Sequence, residues 1–291
     1  MAPGFKCDLG ELKKGIQKIE SWGLTVRRPK ALFGPDVICA NSDKVRFETL
    51  KKAFENPDSD IVWCVRGGYG SLRLLSFLNT MKKPKKKKIL IGYSDITTLH
   101  SFVRMRWGWT SLHAPLVDGI GAGKSNLKSL AYLKKIIYNK KEEIVFDKLK
   151  PLNQKAKQSK VIKGKVVGGN LSVLVTQIGT RWQEDLKGKI LFLEDIGERG
   201  YAIDRMLLQM QMSGFLKSAK AIVFGEFTGG AESNGKLLWK PVMERFAKSM
   251  QVPVLSGIPC GHGKKQMPLV LNSNANLKLG RRPELKVSGI L

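Results

Sequence analysis

The chain reads as an α/β protein of two domains, on three observations. Short apolar runs of strand type alternate with segments of helical periodicity through the first half of the sequence. A polar stretch from about 146 to 162, rich in Lys, Gln, Asn and Pro, then interrupts the pattern. Beyond it, strand and helix signals resume to the C-terminus. Strand–helix alternation implies a parallel sheet with helices on both faces, in which ligands bind at the carboxyl ends of the strands. The expected division is an N-terminal domain over 1–146, a linker over 147–162 and a C-terminal domain over 163–291.

Taken in order, Leu12, Ile16 and Ile19 recur at helical spacing up to Gly23, and Leu24-Thr25-Val26 follows as a short strand. A second helix starts near Ser42-Asp43, carries Val45, Phe47, Leu50 and Phe54, and stops at Asn56-Pro57-Asp58. Ile61-Val62-Trp63-Cys64-Val65 is a buried strand, followed by a glycine turn and a helix around 72–78. Ile89-Leu90-Ile91 is the next strand, and Thr97 to Val103 the helix after it. A helix from about Ser125 to Tyr138 carries Leu127, Leu130, Leu133 and Ile137. Past the linker come a glycine turn at Gly168-Gly169-Asn170, a strand over Ile190–Leu193, a helix from Ala202 to Met212, and strands at Ala221–Phe224 and near the C-terminus.

Composition narrows the class. With 291 residues, 42% hydrophobic and 26% charged, the chain has the profile of a soluble globular protein. No apolar stretch approaches the ~20 residues of a membrane span. The opening Met-Ala-Pro-Gly-Phe-Lys-Cys-Asp lacks a signal-peptide core, so the expected location is the cytoplasm, or the periplasm if an export signal stands upstream. Cys7, Cys39, Cys64 and Cys260 show no paired spacing and read as reduced thiols. The 51 basic and 24 acidic residues give a net charge of +27, with runs such as Lys82-Lys83-Pro84-Lys85-Lys86-Lys87-Lys88. That charge suits an anionic polymer. The runs carry no interleaved aromatics and no nucleic-acid motif, which favours solvated lysine faces.

The motifs that carry chemistry lie at strand ends. Gly92-Tyr93-Ser94-Asp95-Ile96 stands between a strand and a helix, where a sharp turn exposes a serine Oγ and faces a developing anion with N–H groups. The same pattern also describes an ordinary N-capped helix. Arg66-Gly67-Gly68-Tyr69-Gly70-Ser71 follows the 61–65 strand and is either a tight turn or a backbone cradle for an oxyanion or a phosphate. Gly119-Ile120-Gly121-Ala122-Gly123-Lys124-Ser125 imitates a phosphate loop, but Asp118 occupies the position of its first glycine. Glu194-Asp195 ends a strand, as a site or as a helix cap. The chain has three histidines, His100, His113 and His262, so a base working at neutral pH is one of them. His262 lies in a glycine-flanked loop, His100 in a helix, and His113 fits a structural role. Nothing in their spacing gathers them around a metal.

Together these segments resemble the LD-carboxypeptidase family of serine peptidases, to which the microcin C self-immunity hydrolase also belongs. The resemblance rests on Arg66-Gly67-Gly68-Tyr69-Gly70-Ser71-Leu72-Arg73-Leu74-Leu75, Gly92-Tyr93-Ser94-Asp95, Gly168-Gly169-Asn170-Leu171, Leu193-Glu194-Asp195-Ile196, Tyr201-Ala202-Ile203-Asp204-Arg205-Met206-Leu207 and Gly261-His262. It implies a flavodoxin-like N-terminal domain with a parallel sheet, a mixed β/α C-terminal domain, and an active site in the cleft between them. It further implies Ser94 as nucleophile, His262 as base and Glu194 as the carboxylate orienting it, with backbone N–H groups of Gly68 and Asp95 as oxyanion hole. Arg66, Tyr69 and Arg205 become candidates for gripping substrate. The implied reaction removes the terminal D-alanine from murein tetrapeptides during cell-wall recycling, without cofactor or metal. The implied partners are a murein peptide and a second copy of the chain in a homodimer, with no specific nucleic acid. Hydrolysis of aminoacyl-nucleotide antibiotics is the alternative reaction, and a non-enzymatic anionic-polymer binder the alternative class. One departure stands out: where the family has Ala-Pro-Ser at the end of its first strand, this chain has Ala2-Pro3-Gly4.

Overall fold

The computed structural model describes residues 1–139 and 143–289. Its strands, in chain order, are β1 Ile61–Trp63, β2 Ile89–Gly92, β3 Ser111–His113, β4 Glu143–Phe146, β5 Lys150–Pro151, β6 Val161–Asn170, β7 Lys189–Ile196, β8 Ala221–Thr228, β9 Val254–Ser256, β10 Leu269–Leu271, β11 Ser273–Lys278 and β12 Glu284–Ser288. They build two sheets. A four-stranded sheet runs β1-β2-β3-β10, and an eight-stranded sheet runs β4-β12-β11-β6-β7-β8-β9-β5. β1, β2 and β3 are parallel, with β10 antiparallel at the end. In the larger sheet β6, β7, β8 and β9 are parallel, and the outer strands are antiparallel. The architecture is mixed α/β with parallel strands at the heart of both sheets.

Local chemistry sets the element ends. Asp8 caps the helix Leu9–Glu20 by accepting the Glu11 N–H at 2.8 Å, and Asn126 caps Leu127–Ile137 through the Ser129 N–H at 2.8 Å. The helix Asp43–Glu55 turns Phe47, Leu50 and Phe54 inward and ends at Asn56, before Pro57. One apolar core joins the sheets, bringing Ile91, Leu112 and Leu269 of the smaller together with Val166, Phe192 and Val223 of the larger. Among the described residues, no helix is long and apolar enough to cross a membrane.

Several elements depart from the sequence reading. Leu24–Val26 forms no strand. The extended Met1–Phe5 segment runs beside β1 instead, with the Val65 N–H on Met1 O at 2.7 Å and the Phe5 N–H on Gly67 O at 2.8 Å. The stretch 147–162 is not an open linker. It holds β5, paired with β9, and a one-turn helix, Gln154–Lys157, on which Ala156 is buried. Its polarity is that of satisfied backbone: the Asn153 amide donates to Ala247 O at 3.0 Å and Val252 O at 2.9 Å, while its carbonyl accepts the Ala156 N–H. β4, placed by sequence in the first domain, pairs with β12 in the larger sheet, and β10 returns to complete the smaller one. Gly168-Gly169-Asn170 is the end of β6 rather than a turn.

The remaining motifs have structural tasks. In the segment that imitates a phosphate loop, Val117–Gly121 is a short helix lying against Leu9–Glu20. A Cβ on Gly121 would come 1.8 Å from Glu11 O, and one on Gly15 2.0 Å from Val117 O, so the glycines serve close helix packing. The four cysteines are free thiols, three of them buried. In the lysine run, Lys82, Lys83, Lys85, Lys86 and Lys87 are exposed, whereas Lys88 is buried and donates to Ser59 Oγ at 3.1 Å.

Candidate active site

β2 delivers Ser94 at the C-terminal end of a parallel strand. Its φ is +64°, a left-handed value uncommon for a residue with a side chain. Such strain collects at functional sites, and a nucleophile on a tight strand-to-helix turn is one instance. Two glycines make the turn possible. A Cβ on Gly92 would lie 2.9 Å from Ile96 side-chain carbons, and one on Gly67 3.0 Å from Ser94 Cβ and 3.2 Å from its Oγ. A 3₁₀ turn over Ser94–Ile96 then enters the helix Thr97–Trp107.

Asp95 ties this turn to the glycine loop. Its buried carboxylate accepts the Ser71 N–H at 2.9 Å and the Ser71 hydroxyl at 2.6 Å. Burial pushes its carboxyl up, and these bonds pull the other way. Gly4, the departure from the family pattern, has a steric reason: a Cβ there would sit 2.1 Å from Gly67 O and 3.0 Å from Asp95 Oδ2.

The second half of the site comes from the larger sheet. Glu194 lies within β7, opposite Asn170 of β6, at an irregularity in the pairing with β8 between Leu193 and Asp195. It is fully buried, and its Oε2 accepts a hydrogen bond from His262 Nδ1 at 2.8 Å. An ionised carboxylate only accepts, so the imidazole proton sits on Nδ1 and Nε2 is left as the basic nitrogen. Burial alone would raise the Glu194 carboxyl; the charge and hydrogen bond of His262, with His113 close by, outweigh it and hold the group at about 2. Gly261, at φ +137°, lets the loop approach, since a Cβ would come 3.0 Å from Glu194 Oε2. The Gly263 N–H donates to Glu226 Oε2 at 3.0 Å and fixes the other side of His262.

Asp195 does separate work. It accepts from Asn170 Nδ2 at 3.0 Å and from the N–H groups of Ser172 and Ile196 at 2.8 Å, so it supports the first turn of the short helix Leu171–Val175, which Asn170 caps, rather than the helix near Ala202. Burial, followed by the Glu194 charge, pushes its carboxyl up to about 6.

Tyr93 joins the two halves. It precedes Ser94, and its ring stands edge-on to that of His262, centroids 4.6 Å apart. Its hydroxyl accepts from Gln266 Nε2 at 3.2 Å, and burial raises its ionisation further. A second bridge lies behind: the Asn170 N–H donates to Thr97 Oγ1 at 3.0 Å, and a Cβ on Gly169 would come 2.5 Å from that oxygen. The glycines at the end of β6 thus let the larger sheet close on the helix that follows Ser94.

The other sequence candidates divide. Gly67 and Gly68 lie in the loop against Ser94, Gly68 with φ +85° beside the Phe5 ring. Arg66 is part-exposed and its Nη1 lies 3.4 Å from Asp118 Oδ2. Tyr69 is 41% exposed at the rim of the same loop. Arg205 is on the exposed face of the helix Gly200–Met212, its guanidinium 5.6 Å from the Tyr201 ring. His100 is structural: its ring nitrogens lie 2.8 Å from Ser111 Oγ and 3.0 Å from Gly92 O, and burial lowers it to about 3. His113 is closer to the chemistry than its sequence context suggests, with Nε2 3.7 Å from Glu194 Oε1. The scarcity of histidine was the available signal, because His100 and His113 stack 6.4 Å apart behind the His262–Glu194 pair. Among the described residues no three His, Cys, Asp or Glu side chains are grouped to hold a metal ion. A groove of about 600 Å³ lined by Lys163, Lys165, Lys187 and Lys189 lies at the opposite, amino ends of β6 and β7.

Comparison with known proteins identifies the family. Residues 1–114 match the LD-carboxypeptidase N-terminal domain and residues 163–277 the LD-carboxypeptidase C-terminal domain. A Rickettsia prowazekii relative named as a carboxypeptidase is 38% identical over 267 residues, 91% of this chain and 83% of that protein. The murein tetrapeptide carboxypeptidase of Pseudomonas aeruginosa is 31% identical over 273 residues, 90% of this chain and 87% of that one. The solved muramoyltetrapeptide carboxypeptidase of Oxalobacter formigenes superposes with a TM-score of 0.85 at 28% identity, covering 100% of this chain and 99% of that one. The chain belongs to the LD-carboxypeptidase family.

Proposed function

We propose that this protein is a serine-type carboxypeptidase that removes the terminal D-alanine from murein tetrapeptides, with Ser94, His262 and Glu194 as its triad. The observation that carries the reading is the pairing of a left-handed Ser94 at a strand-to-helix turn with a His262 whose Nδ1 is held at 2.8 Å by a buried Glu194. His262 Nε2 takes the proton from Ser94 Oγ as the oxygen attacks the carbonyl of the L-configured centre before D-alanine. The N–H groups of Asp95 and Gly68 receive the oxyanion. The imidazolium gives its proton to the leaving amine, D-alanine departs, and water hydrolyses the acyl-enzyme by the same path in reverse. Glu194 keeps the proton of His262 on Nδ1 and balances the transient imidazolium. Arg66 and Tyr69, at the rim of the glycine loop, are the side chains proposed to meet the substrate carboxylate, the guanidinium doing so in exchange for its long contact with Asp118. Arg205, exposed beside Tyr201 on the helix Gly200–Met212, is given no part in this scheme.

The setting proposed is cell-wall recycling in the cytoplasm, with the periplasm as the alternative. The direct test supplies purified protein with murein tetrapeptide and, separately, with an aminoacyl-nucleotide. Tripeptide and free D-alanine are the expected products. Hydrolysis of the aminoacyl-nucleotide alone would move the substrate to the microcin-immunity type, and hydrolysis of neither would remove the reading.

A further inference from the structure

We propose that His113 is a positioning residue that acts through Glu194, donating its Nε2–H to the carboxylate oxygen that His262 leaves free. The inference rests on the triad reading above. Glu194 is fully buried, and only its Oε2 is engaged, by His262. Among the described residues Oε1 has no hydrogen-bond partner, and neither has His113 Nε2, which is equally enclosed. The two orphans face each other at 3.7 Å. A buried carboxylate oxygen and a buried ring nitrogen each lose solvation without a partner, and an approach of a few tenths of an ångström satisfies both.

The surroundings leave that one arrangement. His113 is the last residue of β3, with Leu112 and His113 paired to Val270 and Leu269 on one side and to Ile91 and Gly92 on the other. Its ring is packed by Phe192 at 5.2 Å, Tyr93 at 5.7 Å and His100 at 6.4 Å. Phe192 offers no donor. The Tyr93 hydroxyl is taken up with Gln266, and both His100 nitrogens lie against Ser111 Oγ and Gly92 O. The remaining ionisable groups that act on Glu194 or feel its charge are Asp195 beside it on β7, Glu226 on β8 and Cys260 before the histidine loop. The first two are acids and the third a thiol whose ionisation burial suppresses, so all three oppose the charge on Glu194 if they ionise. The two histidines alone stabilise it. His113 therefore keeps Glu194 ionised, and through it keeps the His262 proton on Nδ1.

The test reads Glu194 itself, without substrate, so its outcome is separate from that of the hydrolase reading. Protein labelled with ¹³C at glutamate carboxyls is titrated by NMR, the Glu194 signal being assigned by its loss in Glu194→Gln. In the wild type Glu194 stays ionised down to about pH 4. In His113→Phe, which fills the space but cannot donate, protonation should move up by about two pH units or more from about 2, into the range above pH 4. His113→Gln, which retains an N–H donor, should restore the wild-type curve. His113→Met provides a second non-donor should the Phe variant not fold. The acidic limb of kcat/KM should shift upward in the non-donors alone. A Glu194 that stays ionised at pH 4 in a folded non-donor variant, or a Gln variant that titrates like the Phe variant, overturns the proposal.

Discussion

Two glutamates of this protein are buried to nearly the same extent and differ in what they face. Glu184 binds Arg104 of the helix that follows Ser94, with side chains 1% and 8% exposed, and also accepts from Lys189 Nζ at 2.9 Å. Glu194 binds His262 and looks towards His113. Guanidinium and ammonium stay charged near neutral pH: burial lowers Arg104 only to about 9. Imidazoles exchange protons in that range. The first pair is a fixed bolt between the helix that follows Ser94 and the start of β7, and the second, on the proposed reading, is one that passes a proton. Burial of a carboxylate therefore does not mark a catalytic site. In the proposed triad it is the proton affinity of the partner that sets Glu194 apart.

The largest effect that separates the pairs is on turnover. His262→Gln should lower kcat by several orders of magnitude with the melting temperature nearly unchanged, because the base is lost while its space is filled. Glu194→Gln should cost on the order of 10⁴ in kcat through the wrong imidazole tautomer. Arg104→Met should do the reverse. Leaving Glu184 buried without its guanidinium costs about 3–5 kcal/mol of stability by urea unfolding, with little change in kcat per folded molecule. Equal losses of kcat in the two sets would dissolve the distinction.

A smaller effect lies in the pH dependence of stability. Glu194 is depressed from 4.5 to about 2, so its contribution is full above the ordinary value and is lost as pH falls through about 2. Asp195 is raised from 3.8 to about 6, so its sign is opposite: the fold is favoured below the ordinary value, and that advantage is lost as pH rises through about 6. Glu194→Gln should accordingly approach wild-type stability on acidification, and Asp195→Asn should gain on wild type between pH 4 and 7. Parallel curves for both variants would contradict the assigned directions. Smallest of all, His100→Gln should leave the pH–rate profile in place, with at most a modest loss from packing.

Legibility in the sequence followed the range of the interactions. The Ser94 turn was readable because its cause is local: an apolar strand, a glycine that Ile96 requires, and a helix directly after. Glu194 and His262 became visible through family resemblance, since no spacing links positions whose meeting depends on two separate strand ends. Sequence alone assigns His113 a structural role, because its neighbour across the site, Glu194, comes from the other sheet. The polar stretch 147–162 misled for a related reason. Asn153 reads as solvent-facing, yet it spends its amide on carbonyls about a hundred residues away. The return of β10 to the first sheet is likewise a long-range pairing that no local pattern announces.

The most direct test of the hydrolytic site is D-alanine release from murein tetrapeptide by wild-type protein and Ser94→Ala, with folding checked by circular dichroism. Removing one half-buried hydroxyl oxygen should leave the spectrum and melting temperature in place while release falls by at least about 10³-fold, the remaining rate coming from binding and the oxyanion N–H groups. Release by the folded Ser94→Ala protein within about tenfold of wild type would contradict the assignment of Ser94 as nucleophile, since no triad enzyme keeps such a rate without its attacking oxygen.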